Sequence, residues 1–162
     1  AYLENIRAAV AARRDADFVL IARTDARAVL GLDEAIARVN AALALGADIA
    51  FVEAPQTLEE VAAIPRRVQG PCLLNVVPGG RTPMIDMASA AQLGYRLAIH
   101  PAILMYAMVA AADAALAHLR QHAVSPPPPE GMNVAGLFAR CGAAEWDAVR
   151  ERHAAAVHEQ SA

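Results

Sequence analysis

The stretch Phe18-Val19-Leu20-Ile21-Ala22-Arg23-Thr24-Asp25 decides the fold: five apolar residues in a row, then three polar ones. An uninterrupted apolar run of this length predicts a strand covered on both faces. The arrangement recurs. Ile49-Ala50-Phe51-Val52 is followed by Glu53, Cys72-Leu73-Leu74 by Asn75, and Leu97-Ala98-Ile99 by His100. Parallel strands that all end in polar groups gather those groups at one mouth, as (β/α) barrels do.

Helical patterns fill the spaces between the runs. Residues 2–14 place Leu3, Ile6, Ala9 and Val10 on one face. Residues 33–45 turn Ala35, Ile36, Val39 and Leu43 inward, and Gly46 is suited to stop that helix. Thr57-Leu58-Glu59-Glu60 reads as a capping box opening the next helix. A short helix is expected over 85–93, ending at Gly94, and a long alanine-rich one over 102–121. The alternation implies a parallel sheet with right-handed crossovers. Ser125 and Pro126 to Pro129 break the pattern as a stiff extended linker. A last helix is expected over 143–157, carrying Trp146, Val149 and Val157.

Four strands do not close a barrel; about eight are needed. An open four-stranded doubly wound sheet is the alternative, though no glycine-rich phosphate loop follows the first strand. Chain length and the lack of an initiating Met lead us to expect the C-terminal half, about four βα units, of a TIM-type (β/α)8 barrel. The expected division is 1–121 partial barrel, 122–142 linker, and 143–162 C-terminal helix and tail.

Composition narrows the chemistry. The 162 residues carry a net charge of −3, which argues against nucleic acid as a partner. No run of about eighteen apolar residues is read, so no membrane span is expected. Nor is a charged-then-apolar leader read at the start. The 14 basic residues are all arginine, which excludes a lysine Schiff base within this chain. Cys72 and Cys141 fit no zinc spacing; Cys72 reads as a small buried hydrophobe, and a reducing cytoplasm is the expected compartment.

The residues after the runs are the candidates. Arg23 offers a planar fork for a carboxylate or phosphonate, or else forms a structural salt bridge to Asp25 or Glu53. Glu53 is a base, a hydrogen-bond partner, an outer-shell metal ligand or a cap of the next helix. Asn75 either holds one oxygen of a substrate acid or is an ordinary turn residue. His100, before Pro101 at a helix start, is a neutral donor or a packed loop residue. Tyr106 packs in the core or turns its hydroxyl to the mouth. His118, His122, His153 and His158 receive no role.

Three strings together resemble one family. They are Phe18-Val19-Leu20-Ile21-Ala22-Arg23-Thr24-Asp25-Ala26, Phe51-Val52-Glu53-Ala54-Pro55, and Asn75-Val76-Val77 with Gly80-Arg81-Thr82-Pro83. Their order and spacing, over about residues 3–121, resemble the isocitrate lyase/phosphoenolpyruvate mutase superfamily. The resemblance implies a (β/α)8 barrel, a homotetramer that exchanges its last helix, Mg²⁺ as cofactor, and a small carboxylic acid as substrate. It implies a carbon–carbon lyase acting on a 2-hydroxy or 2-oxo dicarboxylic acid through a pyruvate-type enolate. The alternatives are a phosphonomutase, an oxaloacetate hydrolase, or an inactive piece that acts only in assembly. By matching position, Arg23 and Glu53 are the catalytic pair. Asn75, Val76, Val77 and His100 complete the substrate-binding set. The family's metal-binding aspartates and cysteine loop match nothing here, so no metal ligand is assigned and neither cysteine inherits a role. Tyr106 stands where some lyases have arginine, and Pro78 where several relatives have an acid.

Overall fold

A computed structural model describes the backbone of residues 1–159 and the side chains of 1–153. The side chains of Val157 and His158 and the tail 160–162 lie outside the described residues. The elements are α1 (Tyr2–Ala12), β1 (Ile21–Thr24), α2 (Arg27–Leu30), α3 (Leu32–Ala44), β2 (Ile49–Val52), α4 (Leu58–Arg67), β3 (Cys72–Asn75), α5 (Met87–Leu93), β4 (Leu97–Ile99), α6 (Ile103–His122), α7 (Val134–Arg140) and α8 (Ala143–Glu159). They fall into two compact units, residues 1–110 and 111–162.

In the first unit the four strands form one parallel sheet in the order β1-β2-β3-β4. Alternation along each strand sends Ala22, Thr24, Ala50, Val52, Cys72 and Leu74 to one face, where all are buried. Ala35, Ile36 and Val39 of α3, Val61 and Ile64 of α4, and Ala90 of α5 pack there into a single apolar core. The opposite face carries Ile21, Arg23, Phe51, Leu73, Asn75 and Leu97. This corrects the expectation of a strand covered on both sides. Among the described residues β1 alternates exposed and buried, and Phe18 and Val19 precede the strand, 60% and 54% exposed.

Asp48 explains the later start. Its carboxylate accepts from the Leu20 amide at 2.7 Å and from Arg13 Nη1 at 2.8 Å, while Leu20 O accepts from the Asp48 and Ile49 amides. Pairing therefore begins at Leu20, and the apolar residues before it have no ladder to join.

The helix boundaries follow local chemistry. Thr57 Oγ1 accepts from the Glu60 amide, and the Glu60 carboxylate takes the Gln56 amide, so both residues of the expected capping box satisfy a free donor. Gly46 and Gly94 both have φ of 108°, the left-handed turn that ends α3 and α5.

Pro65 lies inside α4 and has no N–H to give the carbonyl four residues back. That carbonyl, on Val61, is buried, and the Tyr95 hydroxyl donates to it at 2.9 Å. The chain entering β4 thus repairs the helix that proline interrupts.

In the second unit, the stretch read as linker contains a helix. Asn133 accepts from the Gly136 amide at 2.8 Å and starts α7, a cap that the proline run obscured in the sequence. By length and composition alone, α6 is long and apolar enough to cross a membrane, which departs from the reading that no segment is. Asp113 near its middle would be costly in a bilayer.

Candidate functional site

Arg23 sits inside β1 rather than just after it, in register with Phe51 of β2. Both side chains emerge on the sheet face away from the core. The guanidinium carbon lies 5.1 Å from the Phe51 ring centroid, a cation–π contact that holds the arginine stem flat on the sheet. Two residues on and on the same face, Asp25 takes the guanidinium fork: Nε donates to Oδ2 at 3.2 Å and Nη2 to Oδ1 at 2.8 Å. Glu53 Oε2 lies 3.5 Å from Nη2. The hydrogen bond to Asp25, strengthened by the charge of Glu53, raises the Arg23 pKa above its ordinary value. The same bond lowers that of Asp25.

Glu53 is carried there by continuation of the ladder: its amide donates to Thr24 O at 3.0 Å. The backbone then turns sharply. Ala54 has φ of 54°, a left-handed conformation uncommon without glycine, and Pro55 behind it is fully buried. Thr57 caps α4, so the helix-cap alternative for Glu53 is not realised.

Asn75 ends β3 on the same face. Its Nδ2 donates to Glu53 Oε2 at 3.4 Å, while its Oδ1 is buried with no hydrogen-bond partner. Arg23, Asp25, Glu53 and Asn75 thus form one polar chain across three adjacent strands. The two carboxylates exceed the single guanidinium by one negative charge. Convergence of four polar groups at one mouth therefore holds for β1, β2 and β3.

The other expected residues are placed differently. Val76 is buried in the core, and its amide donates to Ile99 O at 2.9 Å, so neither its side chain nor its N–H faces the polar chain. Val77 is partly buried and its carbonyl accepts from the Gly80 amide, closing the turn after β3. His100 follows β4, but its Nε2 contacts Met87 Sδ at 3.3 Å rather than any member of the polar chain. Tyr106 is 53% exposed, not core-packed, and its hydroxyl donates to Pro78 O at 3.2 Å. Reading the sequence for strand ends overlooked Phe51 and Ala54. The period-two alternation that pairs Arg23 with Asp25 was the available signal for Phe51.

No group of three or more His, Cys, Asp or Glu side chains that would hold a metal occurs among the described residues. The carboxylates nearest the mouth, Asp25 and Glu53, are both engaged by Arg23. These residues do not fit a Mg²⁺ site by themselves.

Solved structures share this arrangement of elements. The chain is similar to 2,3-dimethylmalate lyase, with a TM-score of 0.86 and 36% identity over 94% of this chain and 54% of that one. It is similar to oxaloacetate acetylhydrolase, in complex with the product oxalate, at a TM-score of 0.88 and 38% identity over 94% and 54%. The α/β fold with its parallel sheet is therefore that of the PEP mutase/isocitrate lyase TIM-barrel superfamily, whose members here are lyases, mutases and hydrolases of carboxylate substrates.

In sequence, residues 1–120 match the phosphoenolpyruvate phosphomutase family, and the chain belongs to it. The 2,3-dimethylmalate lyase of Eubacterium barkeri is 45% identical over 101 residues, 62% of this chain and 35% of that protein. The chloroplastic carboxyvinyl-carboxyphosphonate phosphorylmutase of Arabidopsis thaliana is 39% identical over 126 residues, 74% of this chain and 37% of that protein. The chain thus spans little more than a third of these sequence relatives and about half of the solved ones.

Proposed function

We propose that these residues form the C-terminal half of a carbon–carbon lyase that cleaves a 2-hydroxy or 2-oxo dicarboxylic acid through a pyruvate-type enolate. The observation that carries this reading is Arg23, a fixed cation at the strand ends, clamped between Asp25 and Glu53 and stacked on Phe51. A guanidinium already held in place can accept a substrate carboxylate and offset the charge that develops as the bond breaks, without reorganising at that moment. Glu53 orients both Arg23 and Asn75. Asn75 faces the distal acid group, and Val76 and Val77 shape the turn behind it. His100 is assigned to the substrate set from its place after β4. The similarity to a dimethylmalate lyase favours cleavage of a dicarboxylic acid.

Hydrolysis of oxaloacetate is the second reading, favoured by the similarity to oxaloacetate acetylhydrolase. A phosphonopyruvate hydrolase in the same superfamily was solved with oxalate and Mg²⁺, at 30% identity and a TM-score of 0.78. In our reading Mg²⁺ supplies Lewis-acid stabilisation from ligands outside these 162 residues. We further propose residues 1–121 as the barrel portion, 122–142 as the connection and 143–162 as a C-terminal helix and tail, the helix being exchanged in a cytoplasmic homotetramer. The isolated chain would then assemble but not turn over.

The test is Arg23→Ala and Arg23→Lys in a complete-barrel version, assayed for 2-oxo acid release from dicarboxylic 2-hydroxy acids. Loss of one preorganised donor typically costs ~10²–10³ in kcat. Both variants should fall at least that far, because lysine lacks the planar fork. Near-normal turnover in either variant would remove the reading.

A further inference from the structure

We propose that His118 and His122, in the last turns of α6, form a two-ligand surface site for an imidazole-seeking divalent cation of the Cu²⁺, Zn²⁺ or Ni²⁺ class. The two residues are four apart on one helix, the spacing at which side chains stand one above the other on a single face. Helical His pairs at this spacing are a known ligand geometry for zinc. The ring centroids are 4.6 Å apart and the planes tilted by 49°. With metal–nitrogen bonds of about 2.0–2.1 Å, rings sharing one cation stand at about this separation, tilted rather than stacked in parallel.

The surroundings suit a cation. His122 is exposed and His118 partly so, and neither ring has a hydrogen-bond partner among the described residues. Ala114, one turn before His118, carries no charge. Arg120 lies on the opposite side of the helix, since two residues correspond to about 200° of rotation. The pair also sits where the unpaired carbonyls of the helix C-terminus favour positive charge. Two imidazoles leave the remaining coordination positions to water, which makes the site open and exchangeable. Nitrogen ligands select this class over Mg²⁺, which prefers oxygen. The site is independent of the enzyme reading and lies wholly within residues 111–162.

The experiment titrates the full chain with Cu²⁺ and with Zn²⁺ by calorimetry. His118→Ala and His122→Ala are titrated alongside. Both lie on an accessible helix face, and alanine favours helix, so circular dichroism should match the parent. The parent should bind one cation per chain that each variant loses or holds at least tenfold more weakly, with Mg²⁺ in excess failing to compete. Zinc should raise the thermal midpoint of the parent, reversibly with chelator, and leave both variants unmoved. Equal binding by the parent and either variant would overturn the site, as would no binding by the parent.

Discussion

The Tyr95 hydroxyl donates to the Val61 carbonyl at 2.9 Å, and that carbonyl is the one Pro65 leaves without an amide partner. Two sequence features 30 residues apart, a proline inside a helix and a tyrosine before a strand, are thus one structural device. Tyr95 is 6% exposed, and burial holds its phenol well above its ordinary pKa, so the hydroxyl stays a donor at any working pH. Tyr95→Phe should lower stability by about 1–3 kcal/mol, the cost of a buried acceptor left unmade. Urea denaturation checks this. In a Pro65→Ala background, where the backbone amide returns, the same change should cost clearly less. Equal losses in both backgrounds would mean the hydroxyl does not serve that carbonyl.

A strained backbone position lies next to the candidate site. Ala54, at φ of 54° between Glu53 and buried Pro55, costs about 1–3 kcal/mol for such a backbone. Ala54→Gly should raise stability or leave it level, since glycine adopts positive φ freely. Ala54→Val should lower it by about 1–3 kcal/mol, because a β-branched residue is least tolerated there. Denaturant midpoints distinguish the two. If valine is accepted without loss, the backbone at this position is not under strain.

Arg27 grips Glu60 with two bonds, at 2.8 Å and 2.7 Å, joining α2 to the first turn of α4. The hydrogen bond from Arg27 lowers the Glu60 pKa below its ordinary value. A carboxyl whose folded pKa is depressed contributes stability above its unfolded pKa, and that contribution disappears as pH falls through the folded one. Glu60→Gln should therefore lower the thermal midpoint by a few degrees at neutral pH and by less in acid. Thermal scans across the acid range test the slope; a difference that grows on acidification would contradict the pairing.

The cysteines separate by burial. Cys72 is 1% exposed, and burial pushes its thiol up to about 11, whereas Cys141 is exposed. Only thiolate reacts with a disulfide reagent. At neutral pH the native chain should therefore titrate one thiol rapidly, at Cys141, and release the second only on unfolding. Cys141→Ser should abolish the rapid phase. Two fast thiols in the native chain would show that the core around Cys72 opens readily.

Much of this protein was legible because apolar runs and helical periods are local. The four strands, the stops at Gly46 and Gly94, the Thr57 cap and the family strings all depend on neighbours within a turn or two. The strand-end rule also brought Arg23, Glu53 and Asn75 to one face, since parallel strands in register end together. It did not bring Val76 or His100 into contact with that polar chain, because adjacent residues of a strand point to opposite faces and a residue past its end is steered by the loop.

Residue type and spacing alone thus determined the β-α alternation, the family and the polar triplet. Tertiary structure decided three things that run through space rather than along the chain. It started β1 at Leu20, where the Asp48 carboxylate takes the first amide. It gave Val61 a donor from Tyr95, and it set Arg23 on Phe51 between two carboxylates. In each case the partner comes from another element, and only the packed fold sets the distance between them.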